Sequence, residues 1–281
     1  VAMDSADTWA NPWLFKLDEK NCPTQVAGCP PDGFSATGQL WGNPLYNWEV
    51  HRNSGYEWWI KRIANCFRLY DVVRIDHFRG FDEYYAIPYG DATAENGWWE
   101  KGPGIDLFRA ISASLGDREI IAEDLGYMTD SVKRLVEESG YPNMKVIEFA
   151  FDERDTGNAS DYLPHNYPRN CVVYTGTHDN ETLLSWLEDI TPAERRQVRK
   201  YLNNFKDSGK ELCDDLICLV MQSVANLCIV PMQDYLGLDN SARMNQPSTL
   251  GKNWKWRLKE GQFTAELQKE MLELATRYGR R

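Results

Sequence analysis

The sequence predicts an α/β protein of the (β/α)8 TIM-barrel class. Short apolar runs rich in β-branched residues alternate about six times with loops and helix-like patterns, which is typical of a parallel sheet with helical crossovers. Carboxylates follow the C-terminal ends of several of these runs, and in a (β/α)8 barrel all those ends lie on one side. A doubly wound open sheet is the alternative, although no glycine-rich phosphate-binding loop follows any run.

The predicted strands are these apolar runs. They lie at residues 72–76, 119–123, 145–151, 171–175 and 228–232, and residues 1–3 resemble the end of a further strand. Residues 9–48 and 84–104 are rich in Gly, Pro, Asn and aromatic residues, so both segments are interpreted as ordered loops.

The predicted helices carry start and stop signals. Ser54, Thr129 and Thr191 are candidate N-caps, the last of them followed by Pro and Glu in the first turn, and Gly116 and Gly140 are candidate stops. Helices are therefore predicted over about residues 55–70, 105–115, 130–138, 211–226 and 264–278, and from residue 191 onward.

The composition limits the class of protein. The 281 residues are 42% hydrophobic and 26% charged, which is ordinary for a globular protein, and the net charge of −11 argues against a nucleic-acid partner. No apolar run approaches the ~20 residues of a membrane span, so no membrane partner is expected. The seven cysteines form no C-x-x-C pair, which favours neither disulfides nor zinc and fits a reducing cytoplasm best.

The central motif is the run at residues 72–81. Arg74 and Asp76 lie two positions apart on a predicted strand, so their side chains point to one face. A cation beside a carboxylate favours the ionised form that a carboxylate nucleophile requires. A structural ion pair at the strand end is the alternative.

Acidic residues end three of the predicted strands: Asp76, then Glu123 with Asp124, then Asp179 beside His178. Glycoside chemistry needs such a set, with one ionised carboxylate and one proton donor. Glu123 follows an apolar run and has anionic neighbours, and these conditions raise the pKa of a carboxyl group and suit a general acid. Asp179 and His178 are candidates for hydrogen bonds to sugar hydroxyls in the transition state.

Other interpretations of these residues stay open at this point. Asp124 and Asp179 follow strands, where Asp is also a common helix N-cap, and N-capping is favoured for Asp124. His178 is equally interpretable as a structural histidine. A metal-dependent hydrolase also clusters acids, but the four histidines show no metal-ligand spacing, so no metal site is predicted.

Three motifs carry a family resemblance: RIDHFRG at residues 74–80, AEDLG at 122–126 and THDN at 177–180. They resemble the 4-α-glucanotransferase family, whose members are called amylomaltases or disproportionating enzymes, within the α-amylase clan. Supporting similarity lies at residues 4–9, 38–46, 163–167 and 242–245, and the resemblance covers essentially all 281 residues.

The resemblance implies a retaining transfer of α-1,4-glucan segments between malto-oligosaccharides or starch-type glucans, within starch and glycogen metabolism. It assigns Asp76 as the nucleophile that forms the glycosyl-enzyme, Glu123 as the acid/base, and Asp179 as the group that stabilises the distorted transition state. The implied substrate-binding residues are Arg74, His178, Trp41, Gln39 and Asn245.

The resemblance also implies where some of these residues lie. Gln39 and Trp41 are expected in a loop over the acceptor side, and Asn245 in a lid-like loop after the last strand. No metal or organic cofactor is implied.

The family's barrel has eight strands, whereas this chain is expected to hold only the end of the third strand through the eighth. Residues 1–281 are therefore expected to be the C-terminal part of one catalytic barrel domain, with active-site loops 9–48 and 236–256. Because an open barrel exposes sheet edges, the chain is expected to need the N-terminal part of the same polypeptide and to be weakly active or inactive alone. The resemblance also implies that relatives carry an aromatic residue at the position of Gly33, which predicts weaker stacking on the acceptor glucan here.

Two other functions fit the same residues. The first is an α-glucan hydrolase of the same clan, in which water outcompetes the acceptor sugar. The second is a non-catalytic glucan-binding fragment, which would use aromatic surfaces among the eleven Trp and fourteen Tyr but would not need ionisable groups.

Overall fold

The computed structural model describes residues 1–31, 35–126, 128–152, 159–205, 208–247 and 249–280. The chain divides into two compact units, Val1–Asn143 and Met144–Arg281. Within the described ranges, no helix combines the length and the apolar character that crossing a bilayer requires. The prediction made for Gly33 falls outside the described residues.

The first unit contains a pair of parallel strands, Val73–Ile75 and Ile120–Ala122, which lie in register along their whole length. The two apolar runs predicted as strands in this part of the chain are therefore confirmed. Because parallel strands end at the same edge of a sheet, Asp76 and Glu123, the residues that follow the two strands, leave the sheet at that common edge.

The loop predictions for residues 9–48 and 84–104 are wrong, because both segments contribute strands to one antiparallel sheet. In order across the sheet, its strands are Gln39–Pro44, Gln25–Cys29, Glu83–Pro88 and Trp98–Lys101. Gly28 shows why the loop interpretation failed: a Cβ at this position would lie 2.3 Å from the Gln39 carbonyl oxygen. The glycine is required by a close approach of two strands and does not mark a turn.

The helices of the first unit agree with the predictions where the capping signals are strong. Its helices and 3-10 turns are Ala6–Ala10, Pro12–Leu14, Trp48–Asn53, Glu57–Cys66, Phe78–Phe81, Ile105–Leu115 and Asp130–Ser139. Gly116 follows Ile105–Leu115 as predicted. The Thr129 hydroxyl caps the last helix, and Gly140, at φ 70°, ends it in the left-handed conformation that favours glycine.

Two local predictions in this unit are wrong. A single helix was expected over residues 55–70 with Ser54 as its N-cap, but Ser54 ends the helix Trp48–Asn53, and the next helix begins only after Tyr56. Tyr56 has φ 62°, and this left-handed residue breaks the chain direction between the two helices. Residues 1–3 lie outside any strand, so the strand end predicted there is not found.

The aromatic core of the first unit packs under the loop that follows Val73–Ile75. Phe78 is fully buried and stacks on Phe108 with 4.7 Å between ring centroids. Phe81 contacts Trp59 edge-to-face at 5.4 Å. Since burying one Phe side chain contributes about 1.5–3 kcal/mol, packing of these rings fixes the loop that carries Asp76.

The second unit contains the parallel strands Cys171–Tyr174 and Leu227–Ile229 and most of the strand Asn143–Val146. Its helices and 3-10 turns are Ile147–Phe151, Ala159–Tyr162, Pro164–Asn166, Leu183–Asp189, Pro192–Leu202, Gly209–Met221, Met232–Tyr235, Asn240–Ala242 and Ala265–Arg277. Buried leucines, among them Leu187 and Leu216, join the helices Leu183–Asp189 and Gly209–Met221 in the core of this unit.

The capping signal predicted at Thr191 is confirmed, because the Thr191 hydroxyl and the Glu194 carboxylate form a capping box. The final helix, predicted over about residues 264–278, spans Ala265–Arg277, and the Thr264 side chain caps it. The strand predicted over residues 145–151 is wrong beyond Val146, because a 3-10 helix follows it. An apolar run alone does not separate a strand from a short helix, which explains the error.

Candidate active site

Asp76 is the first residue after the strand Val73–Ile75, and its side chain is 77% exposed. Arg74 lies on the same face of that strand, and its Nη2 atom lies 2.8 Å from Asp76 Oδ1. The contact predicted between these two side chains is therefore present. It presents a carboxylate to solvent with a guanidinium held beside it.

Glu123 is the first residue after Ile120–Ala122, and its side chain is only 11% exposed. Its two oxygens accept backbone hydrogen bonds, Oε2 from the His77 N–H at 2.6 Å and Oε1 from the Leu125 N–H at 2.8 Å. Burial raises the pKa of Glu123, and the Asp76 charge adds to this, while the two N–H donors and Arg74 oppose it. The raised pKa suits a proton donor.

One guanidinium nitrogen of Arg74 lies close to both carboxylates. Arg74 Nη2 lies 2.8 Å from Asp76 Oδ1 and 4.0 Å from Glu123 Oε2. Asp76 Oδ1 and Glu123 Oε2 can therefore be no farther apart than the sum of these two distances. That sum reaches only the lower end of the separation of about 6.5–9.5 Å that is typical of inverting glycosidases. The carboxyl separation of about 5–5.5 Å that is typical of retaining glycosidases lies within this limit.

Trp41 lies beside this pair, on the edge strand Gln39–Pro44 of the antiparallel sheet. Its ring contacts the His77 ring edge-on with 4.8 Å between centroids, and its Nε1–H donates to Gln39 Oε1 at 3.0 Å. The indole is 40% exposed. Two of the predicted substrate-binding residues, Gln39 and Trp41, therefore lie together next to the residue that follows Asp76.

His77 is a further residue of the candidate site, and sequence reasoning missed it. It is in the left-handed conformation at φ 49°, which turns its backbone N–H toward Glu123. Burial, with a smaller effect of Arg79, lowers the pKa of the His77 ring to about 4, so the ring is neutral near pH 7. The only sequence signal was its place between Asp76 and the glycine-containing turn, since no residue pattern reports a left-handed histidine.

In the second unit, Asp179 lies in the turn that follows the strand Cys171–Tyr174. Its Oδ2 lies 3.3 Å from His178 Nε2, and its Oδ1 accepts a hydrogen bond from Asn245 Nδ2 at 2.6 Å. The three residues of this unit that were predicted for the site are thus in mutual contact. Asn245 lies within the segment 236–256 that was predicted to be a loop.

Arg243 is a second residue that sequence reasoning missed. Its guanidinium donates to the Asp179 carbonyl at 2.6 Å and to the Asn245 carbonyl at 2.9 Å, and it lies 3.6 Å from Glu181 Oε1. The Trp254 ring packs on His178 with 5.1 Å between centroids. The signal available was the position of Arg243 two residues before Asn245 in a motif already singled out.

The N-capping interpretation fails for both aspartates. The helix after Asp124 is capped by Thr129, and Asp124 Oδ2 instead accepts a hydrogen bond from Asn143 Nδ2 at 3.1 Å. The helix after Asp179 begins beyond Thr182. Among the described residues, no group of three or more His, Cys, Asp or Glu side chains is arranged to hold a metal ion.

Comparison with known proteins agrees with this chemistry. A sequence model of a family described as 4-alpha-glucanotransferase matches residues 1–264. The 4-alpha-glucanotransferases of Streptococcus pneumoniae and Clostridium butyricum are 50% and 49% identical to the chain over 281 and 282 residues. Both alignments cover 100% of this chain but 55% and 57% of the relatives. The chain therefore spans about half the length of the curated relatives it matches.

A solved structure, the amylomaltase from Streptococcus agalactiae in complex with acarbose, matches the chain with a TM-score of 0.94 at 40% sequence identity. The match covers 99% of this chain and 56% of that protein. This agreement confirms the predicted fold class, an incomplete (β/α)8 barrel.

Proposed function

Because the chain belongs to the 4-alpha-glucanotransferase family, we propose that the polypeptide containing it transfers α-1,4-glucan segments from one malto-oligosaccharide or starch-type glucan to another. The transfer is a double displacement that retains the anomeric configuration through a covalent glycosyl-enzyme. It is a glycosyltransferase reaction of starch and glycogen metabolism.

The observation that supports this proposal best is that two carboxylates near the same arginine differ in their exposure to solvent. Asp76 is largely exposed and lies beside the Arg74 guanidinium, whereas Glu123 is buried and has a raised pKa. A pair with one carboxylate ionised and the other protonated at the same pH is what the first displacement requires.

In the first step, an Asp76 oxygen attacks the anomeric carbon of the donor glucan. The glycosidic C–O bond breaks as the ester bond to Asp76 forms, and Glu123 gives its proton to the departing oxygen. The leaving segment departs as an alcohol, and Glu123 is left ionised. Arg74 stays beside both carboxylates and balances the negative charge that moves from Asp76 to Glu123.

In the second step, the hydroxyl at the non-reducing end of an acceptor glucan attacks the same carbon. Glu123 takes the hydroxyl proton, the new glycosidic bond forms, and Asp76 is released as a carboxylate. Two inversions at one carbon give net retention. Water in the acceptor's place would give hydrolysis, so the outcome depends on how well an acceptor sugar is held.

The remaining residues have supporting roles in the proposal. The exposed Trp41 ring and the Gln39 amide bonded to it bind the acceptor sugar, by stacking and by hydrogen bonding. Asp179, which contacts His178 and Asn245, hydrogen-bonds sugar hydroxyls more strongly as the ring flattens toward the transition state.

We also propose the context in which the chain works. Residues 1–281 are part of one catalytic (β/α)8 barrel domain, and the N-terminal part of the same polypeptide supplies the strands that complete it. This rests on the relatives, of which the chain spans about half. A reducing compartment such as the cytoplasm is proposed from the odd number of cysteines and their spacing.

Incubation of the full-length protein with maltotriose tests the proposed reaction. Transfer gives glucose together with maltopentaose and longer oligomers, whereas hydrolysis gives glucose and maltose without elongation. Binding of maltotriose without any product would instead support a non-catalytic glucan-binding protein. Either of the last two outcomes would overturn the proposal.

A further inference from the structure

Glu148 is a buried acid in the second unit that the proposed mechanism does not use. It lies in the 3-10 turn Ile147–Phe151, directly after the strand Asn143–Val146, and only 4% of the residue is exposed. Its Oε1 atom has no hydrogen-bond partner among the described residues. Burying a carboxyl group costs free energy unless hydrogen bonds or paired charges compensate for the lost water, so the surroundings of Glu148 are informative.

Glu148 lies directly beneath the turn that carries Asp179. A Cβ added to Gly176, the first residue of that turn, would lie 2.8 Å from Glu148 Oε1 and 3.3 Å from Asn180 Cβ. A methyl group at position 176 would therefore force either the Glu148 carboxyl group or the turn to shift. The Glu148 carboxyl group thus lies against the backbone of the turn at Gly176.

A chain of polar contacts leads from Glu148 to Asp179. The Asn180 side chain interacts with the Glu148 carboxyl group and lowers its pKa, opposing the larger effect of burial. Asn180 Oδ1 accepts from both the backbone N–H and the hydroxyl of Thr177, at 2.9 and 2.7 Å, which assigns the amide NH2 to the Glu148 side. The Thr177 hydroxyl oxygen in turn accepts from the Asp179 backbone N–H at 3.3 Å.

Asp234 fixes the segments on either side of the same turn. Its Oδ2 accepts from the Thr175 hydroxyl at 2.5 Å, and its Oδ1 accepts from the Leu183 N–H at 2.9 Å. Burial, followed by the charges of Asp234 and Glu181, raises the pKa of Glu148 well above its ordinary value. A neutral Glu148 fits beside Asp234 without adding a second negative charge to the interior.

We propose that Glu148 is a positioning residue for Asp179, acting through Asn180 and Thr177 and through its contact with Gly176. Arg243 and Asn245 hold Asp179 from one side of the turn, and Glu148 supports the turn from the interior. The catalytic part of this inference rests on the proposed function, because it matters to turnover only if Asp179 stabilises the transition state.

The test compares Glu148→Ala, Glu148→Gln and Glu194→Ala in the full-length protein. Glu194 is a matched control, since it is also a buried carboxylate of the second unit but serves the capping box of Pro192–Leu202. Two quantities are measured: kcat and KM for maltotriose disproportionation, and hydrogen–deuterium exchange of the amides in residues 176–180.

Glu148→Ala should lower kcat about 10- to 100-fold, the cost of a catalytic group displaced by about 1 Å, with KM changed less than about twofold. Exchange in residues 176–180 should accelerate. Glu148→Gln has the same shape and no charge, so kcat should stay within about threefold of the parent protein. Glu194→Ala should lower stability but leave both kcat and the exchange of this turn unchanged.

A double-mutant cycle separates the contact from general damage. Gly176→Ala alone should reduce kcat, because the methyl group displaces either the turn or Glu148. In the Glu148→Ala background the same change should cost clearly less, since the obstructing carboxyl group is gone. Additive losses would overturn the proposed contact.

The outcomes distinguish this inference from the proposed function. If the parent protein shows no disproportionation, the proposed function fails, and unchanged exchange in Glu148→Ala would then overturn the positioning role as well. If the parent is active but Glu148→Ala keeps kcat, or Glu194→Ala loses as much, the positioning role alone is refuted.

Discussion

The backbone N–H of His77 donates a hydrogen bond of 2.6 Å to Glu123 Oε2, and His77 is in the left-handed conformation where it makes this bond. The residue after the proposed nucleophile therefore positions the proposed acid/base through its main chain. The side chain of His77 contacts Trp41 at the same time. The backbone conformation of His77 thus brings it into contact with two other residues of the candidate site in the first unit, Glu123 and Trp41.

Replacing His77 tests the importance of its backbone conformation. Asn tolerates the left-handed region, whereas the β-branched Val is strongly disfavoured there, at a cost of about 1–2 kcal/mol. His77→Val should therefore unfold at lower urea concentration than His77→Asn and should lose more turnover. Both variants lack the imidazole, so each controls for the loss of ring contacts. Equal stability of the two variants would show that the conformation carries no strain.

The raised pKa of Glu123 predicts the pH dependence of kcat/KM. As the general acid it must be protonated in the free enzyme, so activity is lost as pH rises through its pKa. Since burial raises that pKa above the ordinary ~4.3 of Glu, the alkaline limb should lie above this value. Beyond its midpoint, kcat/KM should fall about tenfold per pH unit.

Arg74→Gln tests the cause of this limb. Arg74 lowers the pKa of Glu123, so its removal should move the limb to higher pH. Because Arg74 also contacts Asp76, the maximal rate of the variant should drop as well. The shift of the alkaline limb is therefore measured on pH profiles that are each normalised to their own maximum. Arg68→Gln, an exposed arginine bonded to Asn65, is the control and should leave the limb in place. A limb that moves to lower pH in Arg74→Gln would contradict the assignment of Glu123.

The parts of this site that could be predicted from sequence are those encoded locally. The contact between Arg74 and Asp76 follows from strand alternation, and the burial of Glu123 follows from the apolar run before it. The antiparallel sheet that carries Trp41 was missed, because its strands pair with distant partners and contain residues such as Gly28 that resemble loop formers. Pairing between distant segments leaves little trace in any one segment.

Interactions made by the main chain were also beyond sequence reasoning. The orientation of the His77 N–H depends on one φ angle, and the Arg243 bond to the Asp179 carbonyl depends on the path of a loop. Asp124 was misassigned for a related reason: the helix start lies five residues further on, at Thr129, and Asn143 supplies a partner that no local pattern indicates.

Asp76→Asn removes the proposed nucleophile while keeping its shape. An amide cannot form the glycosyl-enzyme and no other described group occupies its place, so turnover should fall by about 10³-fold or more. Binding of malto-oligosaccharide, measured by calorimetry, should be retained. Asp71→Asn, an exposed aspartate before the same strand, is the matched control and should keep full turnover. Retained binding with unchanged turnover in Asp76→Asn would refute the nucleophile assignment.

The exposed ring of Trp41 should determine how often an acceptor sugar, and not water, reaches the glycosyl-enzyme. Trp41→Ala removes the stacking surface, worth about 0.5–1.5 kcal/mol, so the ratio of hydrolysis to transfer from maltotriose should rise about 2- to 10-fold. Trp41→Phe keeps an aromatic face but loses the Nε1–H bond to Gln39, and its ratio should lie in between. Chromatography of the products at equal conversion gives the ratio directly.

Trp98→Ala is the matched control for Trp41. Trp98 has nearly the same exposure, 41% against 40%, but lies on the opposite edge strand of the same sheet. Because Trp41 also contacts His77, its removal could lower total turnover without any effect on the acceptor. The product ratio does not depend on total turnover, so it separates the two roles. A lower turnover at an unchanged ratio would mean that Trp41 supports His77 and does not hold the acceptor.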